Sequence, residues 1–292
     1  MIRPPDGDEL LVVVGPTASG KTELALRLCE ELGGEVIGAD SVQIYRHFDI
    51  GSGKPTAEEL ARAPHHLVGV VDPLEAIDAK VYADMADLAL AEVRGRARVP
   101  IVCGGTFLWV KALVSGLAAT PPADPEVRER HAALVAREGR PALHAALLAV
   151  DPDAAARLSP NDFVRVSRAL EVYELTGRQQ SSFHAEHGFR VPRHRARLLG
   201  VERPREELDE RIRRRTEAWL AAGWIDEVKS LSDRGYAEAR AMASVGYRQV
   251  RDHLRGELPR DELVDAIVRA TRVFARRQRT WLRDQPVEWM RP

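Results

Sequence analysis

The sequence GPTASGKT at residues 15–22 follows the apolar run Leu10–Val14 and leads into an amphipathic segment that reaches Leu32. This order predicts a strand, a phosphate-binding loop and a helix. The glycines permit a tight turn whose backbone N–H groups converge on phosphate oxygens. Lys21 adds a positive charge, and the Thr22 hydroxyl can hold a phosphate-bound Mg²⁺. A Gly-rich turn without a ligand is the alternative, but the full match favours binding of a di- or triphosphate. The residues expected at the phosphate are Gly15, Thr17, Ala18, Ser19, Gly20, Lys21 and Thr22.

Composition limits the class of protein. A chain of 292 residues with 45% hydrophobic residues suffices for one large α/β domain or for one domain with a sizeable insertion. The formal net charge is −1, so a nucleic-acid partner would need locally clustered positive charge. Cys29 and Cys103 lack Cys-x-x-Cys spacing, which argues against a disulfide framework or a structural zinc site. This cysteine usage fits a reducing cytoplasm. Since no apolar run approaches the roughly 20 residues that span a bilayer, we expect a soluble protein with no membrane partner.

The run Glu35–Ser41 predicts a second strand that ends near Asp40. In an open parallel sheet, ligands lie at the carboxyl ends of the strands, so Asp40 would face the same crevice as the phosphate-binding loop. This placement makes Asp40 a candidate base or metal ligand. An aspartate that only caps a turn is the alternative. The loop that follows, as far as Pro55, is available for ligand contacts.

The segment Pro64–Pro73 predicts a third strand closed by a proline turn, followed by a helix from Val81 to about Arg98. The adjacent histidines at 65 and 66 would point to opposite faces of this strand, which argues against metal ligation by the pair. We expect packing or hydrogen bonding instead.

The segment Pro100–Cys103 predicts the next strand, which runs directly into Gly104-Gly105-Thr106. A P-loop ATPase normally carries an acidic residue at this position that helps to hold Mg²⁺. Glycine and threonine there weaken an ATPase interpretation. They indicate that residues 104–106 admit a closely packed substrate.

From Gly116 to about His194 the strand pattern disappears and three helical segments follow, punctuated by prolines. The helices are predicted at residues 124–138, 140–150 and 163–176. Arg197–Val201 restores a strand, which we expect to complete the sheet. The predicted fold is therefore α/β, a P-loop NTPase-like parallel sheet core (residues 1–116 and 195–292) with a helical insertion at residues 117–194 and an arginine-rich helical C-terminal region.

Positive charge is concentrated in the second half of the chain. Residues 193–215 contain nine arginines and five acids, and residues 269–283 contain six arginines and no acid. Five of these six recur at helical spacing and predict one exposed face: Arg269, Arg272, Arg276, Arg279 and Arg283. The opposing stripe, expected to pack on the core, is Leu263, Ile267, Ala270, Phe274 and Trp281. Solvated charged faces normally mix signs, so the acid-free stripe favours contact with a nucleic acid.

Nine short motifs along nearly the whole chain together resemble one family. They are GPTASGKT at 15–22, ADSVQIYR at 39–46, KPT at 54–56, PHHL at 64–67, GGT at 104–106, PND at 160–162, RALEVYELTG at 168–177, SVGYRQ at 244–249 and RRQRTWLR at 276–283. The chain resembles the tRNA dimethylallyltransferases, also called tRNA isopentenyltransferases. The first motif is shared with many kinases, whereas its combination with the last two is specific. Phe107, Trp109 and Phe163-Val164 depart from the commoner family pattern.

The resemblance implies transfer of a dimethylallyl group from dimethylallyl diphosphate to the exocyclic N6 of the adenine immediately 3′ of the anticodon in tRNA. Diphosphate is released. The implied partners are dimethylallyl diphosphate and the anticodon stem-loop of tRNA, the implied cofactor is Mg²⁺, and we expect a monomer. The chemistry fits the motifs, because an allylic diphosphate ionises when its leaving group is neutralised.

The resemblance also assigns roles to individual residues. Asp40 is the general base that takes a proton from N6, and Thr106 lies beside the target nucleotide. An arginine within Asp209–Thr216 reaches the diphosphate, with Arg211 the first candidate and Arg215 the second. The positions expected to contact tRNA are Asp40, Ser41, Val42, Gln43, Thr106, Arg128, Val164, Arg165, Arg168, Ser244, Gly246, Tyr247, Arg248, Gln249, Arg276, Arg277, Gln278, Arg279 and Arg283.

Three other functions share part of this pattern. A P-loop small-molecule kinase could use the same loop, with Asp40 binding an acceptor hydroxyl, but it leaves the arginine helix unexplained. An adenylate isopentenyltransferase shares the N-terminal motifs and needs no arginine-lined surface. An RNA-binding protein with a vestigial phosphate loop would need no catalytic Asp40.

Overall fold

The computed structural model describes residues 2–188 and 191–290. The chain divides into two compact units, one formed by residues 1–114 with 193–292 and the other by residues 115–192. Up to residue 115 the elements are β1 (Leu10–Val14), α1 (Lys21–Leu32), β2 (Gly34–Gly38), α2 (Ala57–Arg62), β3 (His65–His66), α3 (Ala79–Gly95), β4 (Val99–Gly104) and α4 (Phe107–Ser115).

All regular elements in the described residues 116–188 of the second unit are helices. Its helices are α5 (Pro125–Glu138), α6 (Arg140–Val150), α7 (Pro152–Arg157), α8 (Phe163–Thr176) and α9 (Gln180–His187). The first unit then resumes with β5 (Ala196–Val201), α10 (Arg205–Ala221), α11 (Trp224–Leu231), α12 (Tyr247–Leu254), α13 (Leu263–Arg283) and β6 (Val287–Met290).

The first unit is built on a six-stranded sheet with the order β3-β2-β4-β1-β5-β6. All of its strand pairs are parallel, and β1 lies between β4 and β5. Every residue of β1 is fully buried, which is the expected state of a continuous apolar run in a sheet covered on both faces. The predicted α/β class with a parallel sheet is therefore confirmed.

Two strand predictions need correction. The segment Pro64–Pro73 contributes only β3, because Leu67 and Gly69 adopt positive φ angles of 59° and 64° that end the extended conformation. The strand β5 does not complete the sheet. The short β6, which pairs with β5 from Val287 to Met290, forms the edge instead. Four residues after a long helix carry too little periodicity to predict a strand.

The glycines of the GGT segment are required by contacts within the protein. A β-carbon at Gly104 would lie 2.1 Å from the carbonyl oxygen of Ala39, and one at Gly105 would lie 2.5 Å from Nε2 of Gln278. These contacts alone account for both glycines, and a closely packed substrate at residues 104–106 stays a prediction. Protein atoms occupy the space beside both α-carbons.

The two aromatic departures from the family pattern pack against other rings. Phe107 stacks on Trp281 with ring centroids 4.4 Å apart, and Trp109 stacks on Tyr82, also at 4.4 Å. The two rings of each pair are nearly parallel, with interplanar angles of 3° for Phe107 and Trp281 and 14° for Trp109 and Tyr82. These contacts accommodate the larger side chains at 107 and 109 and join α4 to α3 and α13.

Helix α13 exposes all five arginines of the predicted stripe. Its buried face differs from the predicted one, because Phe274 is 39% exposed and Ala270 and Trp281 are only half-buried. The side chains that face the interior are Leu263, Ile267, Val268, Thr271, Ala275, Gln278 and Leu282. No helix in the described part of the chain is long and apolar enough to cross a membrane.

Candidate active site

The phosphate-binding loop connects the end of β1 to the start of α1 at the carboxyl edge of the sheet. Gly20 adopts a φ of 99° at the beginning of the helix, and Gly15 leaves space for Oγ of Ser19, which would lie 2.6 Å from a β-carbon there. Two loop N–H groups expected at the phosphate already have protein acceptors, since Ser19 donates to the Pro16 carbonyl (3.2 Å) and Thr17 to the side chain of Gln278 (2.8 Å). The N–H groups at Lys21 and Thr22, in the first turn of α1, remain suited to an anion.

Three arginines line this loop from the segment that follows β5. Nε of Arg203 donates to the Ser19 carbonyl at 2.6 Å, and Nε of Arg211 donates to the Ala18 carbonyl at 2.8 Å. Arg215 donates to the Thr17 hydroxyl at 2.6 Å. The structure thus brings both predicted arginines to the loop. Arg203 was missed, although its position just beyond a parallel strand could have indicated it.

Partly buried positive charges lie beside the loop. Burial lowers the pKa of Lys21, with a further lowering from the nearby Arg215 guanidinium. Burial also lowers the pKa of Arg215 to about 10, and burial together with the charge of Arg203 lowers the pKa of Arg211. A bound anion stabilises the charged form of such groups and so offsets the effect of burial. The electrostatics favour a ligand that carries several negative charges.

Asp40 follows β2 at the same edge of the sheet. Its Oδ1 accepts hydrogen bonds from the backbone N–H groups of Val42 (2.9 Å) and Gln43 (3.2 Å). One oxygen therefore caps a turn, as the alternative interpretation predicts, and both of these hydrogen bonds are accepted by Oδ1 rather than Oδ2. The Asp40 charge raises the pKa of both Lys21 and Arg215, so the carboxylate lies within electrostatic reach of the phosphate loop.

Thr106 joins the ends of β2 and β4. Its Oγ1 accepts from the Ser41 N–H at 3.0 Å and donates to the Ser41 hydroxyl at 3.2 Å, while its own N–H donates to the Ala39 carbonyl at 3.2 Å. The structure thus places Thr106 beside the segment that carries Asp40. Both residues stand at the carboxyl ends of parallel strands, where the sequence predicted them.

Gln278 connects the phosphate loop to the GGT segment. Its Oε1 accepts from the Thr17 N–H at 2.8 Å, and its Nε2 donates to the Gly105 carbonyl at 2.9 Å. The side chain is only 5% exposed. The prediction that Gln278 contacts tRNA is corrected accordingly, because the amide holds two loops together inside the protein.

Two further positions in the SVGYRQ motif also face the interior. Tyr247 is completely buried, and Gln249 accepts the Gly246 N–H at 2.8 Å through Oε1. Their predicted tRNA contacts are corrected for the same reason. Other predicted positions remain accessible on the surface of the first unit, namely Ser41, Arg248, Arg276, Arg277, Arg279 and Arg283.

In the second unit, two predicted arginines bind a buried carboxylate. Glu171 is fully buried, with Arg128 donating to Oε1 at 3.0 Å and Arg168 donating to Oε2 at 2.5 Å. Arg168 also donates to the Thr120 hydroxyl at 3.1 Å. Val164, by contrast, is 74% exposed. The charges of Arg128 and Arg168 are thus partly satisfied within their own unit.

Among the residues that the structure describes, no group of three or more histidine, cysteine or acidic side chains could hold a metal ion. The histidines at 65 and 66 follow the predicted pattern, with Nδ1 of His65 near the Ala63 carbonyl and Nε2 of His66 bonded to Glu35 at 2.7 Å.

The parallel sheet and the phosphate loop at its carboxyl edge define a P-loop NTPase-like protein. A family model described as IPP transferase matches residues 43–285, and one described as Isopentenyl transferase matches residues 8–67. The chain belongs to the IPP transferase family, and it is therefore a prenyl-transferring enzyme. The family resemblance seen in the motifs is confirmed.

Relatives in this family match over almost the full chain. A tRNA dimethylallyltransferase from Sorangium cellulosum is 69% identical over 99% of this chain and 92% of the relative, and one from Myxococcus xanthus is 46% identical over 95% and 90%. The crystal structure of a tRNA isopentenylpyrophosphate transferase from Bacillus halodurans has a TM-score of 0.72 at 37% identity, covering 98% of this chain and 90% of that one. A eukaryotic dimethylallyltransferase structure, at 23% identity and a TM-score of 0.80, shares the fold.

The bridge made by Gln278 can be tested with Gln278→Met, which keeps the length of the side chain and removes both hydrogen bonds. We expect the free energy of unfolding to fall by about 1–3 kcal/mol, because the Thr17 N–H and the Gly105 carbonyl lose their partner. Denaturant unfolding measures this change, and calorimetry should show weaker binding of inorganic diphosphate. The exposed neighbour is the control, since Arg277→Met should change stability by less than about 0.5 kcal/mol. Equal effects of the two substitutions would contradict the bridge.

Proposed function

We propose that this protein transfers the dimethylallyl group of dimethylallyl diphosphate to N6 of the adenine that is 3′-adjacent to the anticodon in tRNA. It would act as a monomer in the cytoplasm. The observation that carries the proposal is the partly buried positive charge at Lys21, Arg211 and Arg215, with Lys21 and Arg215 within electrostatic reach of the Asp40 carboxylate. This arrangement suits a reaction that separates an anionic leaving group from a cationic carbon.

The donor side of the site stabilises the leaving diphosphate. In the reaction the allylic C–O bond breaks, its electron pair leaves with diphosphate, and positive charge develops on the prenyl carbon. Lys21 and the arginines at 211 and 215 neutralise the negative charge that accumulates on the leaving oxygens. The first turn of α1 adds backbone N–H donors and the positive end of the helix dipole. These groups are positioned before the reaction, so little reorganisation is needed.

The acceptor side supplies a base. The N6 lone pair of adenine is delocalised into the ring, so N6 is a poor nucleophile and loses a proton as the new C–N bond forms. Oδ1 of Asp40 is held by two backbone N–H groups, which orient the carboxylate and leave Oδ2 to accept that proton. Thr106 would lie beside the same nucleotide, and the adenine must leave the anticodon-loop stack to enter the site.

A magnesium ion fits this site on the donor side. Mg²⁺ usually keeps several waters and takes one or two protein ligands together with phosphate oxygens, so the lack of a carboxylate cluster among the described residues is compatible with it. The Thr22 hydroxyl, in the first turn of α1, is the residue that would hold the ion. When bound, Mg²⁺ supplies additional positive charge to the leaving diphosphate.

Thr22→Ala tests this assignment. Removal of the hydroxyl should raise the Mg²⁺ concentration that gives half-maximal activity, because one ligand of the ion is lost, while tRNA affinity should not change. A titration of Mg²⁺ at saturating donor measures the effect. Thr17→Ala is a useful comparison, since its hydroxyl is already bonded to Arg215. An unchanged Mg²⁺ dependence in Thr22→Ala would remove Thr22 from the metal site.

The RNA surface in the first unit is the arginine face of α13. Arg276, Arg277, Arg279 and Arg283 are exposed there, and no acid interrupts the helix between 269 and 283. Arg269 and Arg272 face Asp265 and Asp209 respectively, so the later arginines are the better phosphate contacts. In the second unit, the exposed Val164 and Arg165 are the better candidates for tRNA contact, because Arg128 and Arg168 bind Glu171.

One experiment distinguishes this function from its rivals. The protein is incubated with Mg²⁺, labelled dimethylallyl diphosphate or labelled ATP, and either unmodified tRNA or AMP, and the nucleosides are analysed by mass spectrometry. We expect a prenylated adenosine from tRNA only. Product from AMP in preference to tRNA would favour an adenylate isopentenyltransferase, and phosphoryl transfer without prenylation would favour a kinase. RNA binding with no product from any donor would indicate a vestigial phosphate loop.

The role of Asp40 is tested with Asp40→Asn in the same assay. The amide keeps the turn-capping oxygen but is a very weak base, so kcat should fall by about 10² to 10⁴. Binding of inorganic diphosphate should remain nearly unchanged. Full retention of prenylation would refute the assignment of Asp40 as the base.

The arginine face is tested with the double substitution Arg276→Gln and Arg279→Gln. We expect weaker tRNA binding, with the slope of log K against log salt reduced by roughly 1.4 to 1.8 for two lost phosphate contacts. The affinity for dimethylallyl diphosphate should not change. Arg255→Gln with Arg260→Gln is the matched control, since both residues are exposed outside α13. Equal losses in the two double variants would mean that the stripe has no special role.

A further inference from the structure

We propose that Glu227 is a positioning residue for the transfer reaction. It fixes the turn of residues 49–54, here called the clamp turn, and through Gln43 this turn fixes the Asp40 carboxylate. The inference rests on the proposed function of Asp40 as the base. All of these residues belong to the first unit.

Glu227, on α11, accepts four hydrogen bonds from two elements. Its Oε2 accepts from the N–H groups of Asp49 (2.9 Å) and Ile50 (2.6 Å), and its Oε1 accepts from the N–H of Gly51 (3.3 Å) and the hydroxyl of Tyr247 (2.7 Å). Bonds from neutral donors to an ionised carboxylate are stronger than bonds between neutral groups. The carboxylate therefore anchors the start of the clamp turn to the C-terminal helices.

The ring of Trp224 closes the contact between the clamp turn and α12. A β-carbon at Gly51 would lie 1.9 Å from Nε1 of Trp224, and one at Gly246 would lie 2.2 Å from Cη2 of the same ring. The ring also meets Tyr247 edge-on, with centroids 5.6 Å apart. Because residues 51 and 246 are glycines, the backbones of the clamp turn and of the start of α12 can both contact the indole ring of Trp224. This close packing restricts movement of the clamp turn.

Gln43 transmits the position of the clamp turn to Asp40. Its Nε2 donates to the carbonyls of Ser52 (3.0 Å) and Gly53 (2.7 Å), and its backbone N–H donates to Oδ1 of Asp40 (3.2 Å). A displacement of the turn would therefore move Gln43 and rotate the carboxylate. Because Asp40 must lie within hydrogen-bond reach of N6, a small rotation affects proton transfer.

Trp219 and Arg215 connect the clamp turn to the donor site. The ring of Trp219 lies so close to Gly53 that a β-carbon there would be 2.8 Å from Cζ2. The guanidinium of Arg215 lies over the Trp219 ring, with Cζ 4.4 Å from the ring centroid. Arg215 also donates a hydrogen bond to the Thr17 hydroxyl of the phosphate loop. The clamp turn therefore relates the position of the base to that of the leaving group.

The test uses the full-length protein and Glu227→Gln, which preserves side-chain volume. Glutamine offers one oxygen, so at least one N–H group of the clamp turn loses its acceptor. We expect kcat for prenylation of unmodified tRNA to fall about 10- to 100-fold, the range that follows from a misplaced reacting group. The KM for dimethylallyl diphosphate and the affinity for inorganic diphosphate should change less than about twofold, since the cations of the donor site remain in place. The matched control is Asp226→Asn, because Asp226 is an exposed neighbour of Glu227 on α11. This variant should have the same kcat as the protein without substitutions.

A comparison of backgrounds separates positioning from a merely structural role. If Glu227 acts through Asp40, Glu227→Gln should cause no further loss of kcat in a protein that already carries Asp40→Asn, as measured by single-turnover product formation. The same loss in both backgrounds would overturn the proposal, and so would a kcat unchanged by Glu227→Gln. If Glu227→Gln lowers the yield of folded protein, Gln43→Met, which breaks the link at its other end, is measured in the same two backgrounds. Full activity of the single variant Asp40→Asn would refute the assignment of Asp40 as the base. Because this result needs no Glu227 variant, it can be distinguished from a failure of the role proposed for Glu227.

Discussion

The site depends on positive charge that is partly buried beside the phosphate loop. Burial lowers the pKa of Lys21 and Arg215, and mutual repulsion of the cations adds to the effect. Such charges are costly to bury without an anionic partner. Asp40 balances them only in part, so a bound diphosphate would complete the electrostatics. The sheet tolerates this cost because its central strand is fully buried and holds the loop rigidly at its carboxyl edge.

The C-terminal helices have two functions that use different faces. Outward arginines on α13 form the surface that we propose for tRNA, while Gln278 on the inner face bonds the Thr17 N–H and the Gly105 carbonyl. Glu227 on α11 binds three N–H groups of residues 49–51 in a similar way. The loops around the site thus obtain hydrogen-bond partners from helices that lie 173 to 261 positions away in the sequence. This cross-linking gives the donor loop and the base a defined relative position.

Much of the core was predictable because its signals are local. The apolar run before GPTASGKT predicts a buried parallel strand, and the position of Asp40 after the next strand predicts a side chain at the same edge. Helical spacing correctly predicts that the arginines of α13 are exposed. The prediction of the buried stripe of α13 was partly wrong. The apolar Phe274 is exposed and the polar Gln278 is buried, which is the opposite of what their polarity predicts. The strand β6 was missed because four half-exposed residues carry no clear period.

The sequence by itself determined the phosphate loop, the parallel sheet, the basic face of α13 and the family. These depend on backbone requirements and periodicities contained within short segments. Only the tertiary structure decided that Gln278, Tyr247 and Gln249 face the interior, that Arg203 reaches the phosphate loop and that Glu227 holds the turn beside Asp40. Each of these roles depends on which distant backbone groups lack a partner in the folded chain. No local pattern specifies that, because a buried polar side chain is selected by the unsatisfied N–H or carbonyl that it meets.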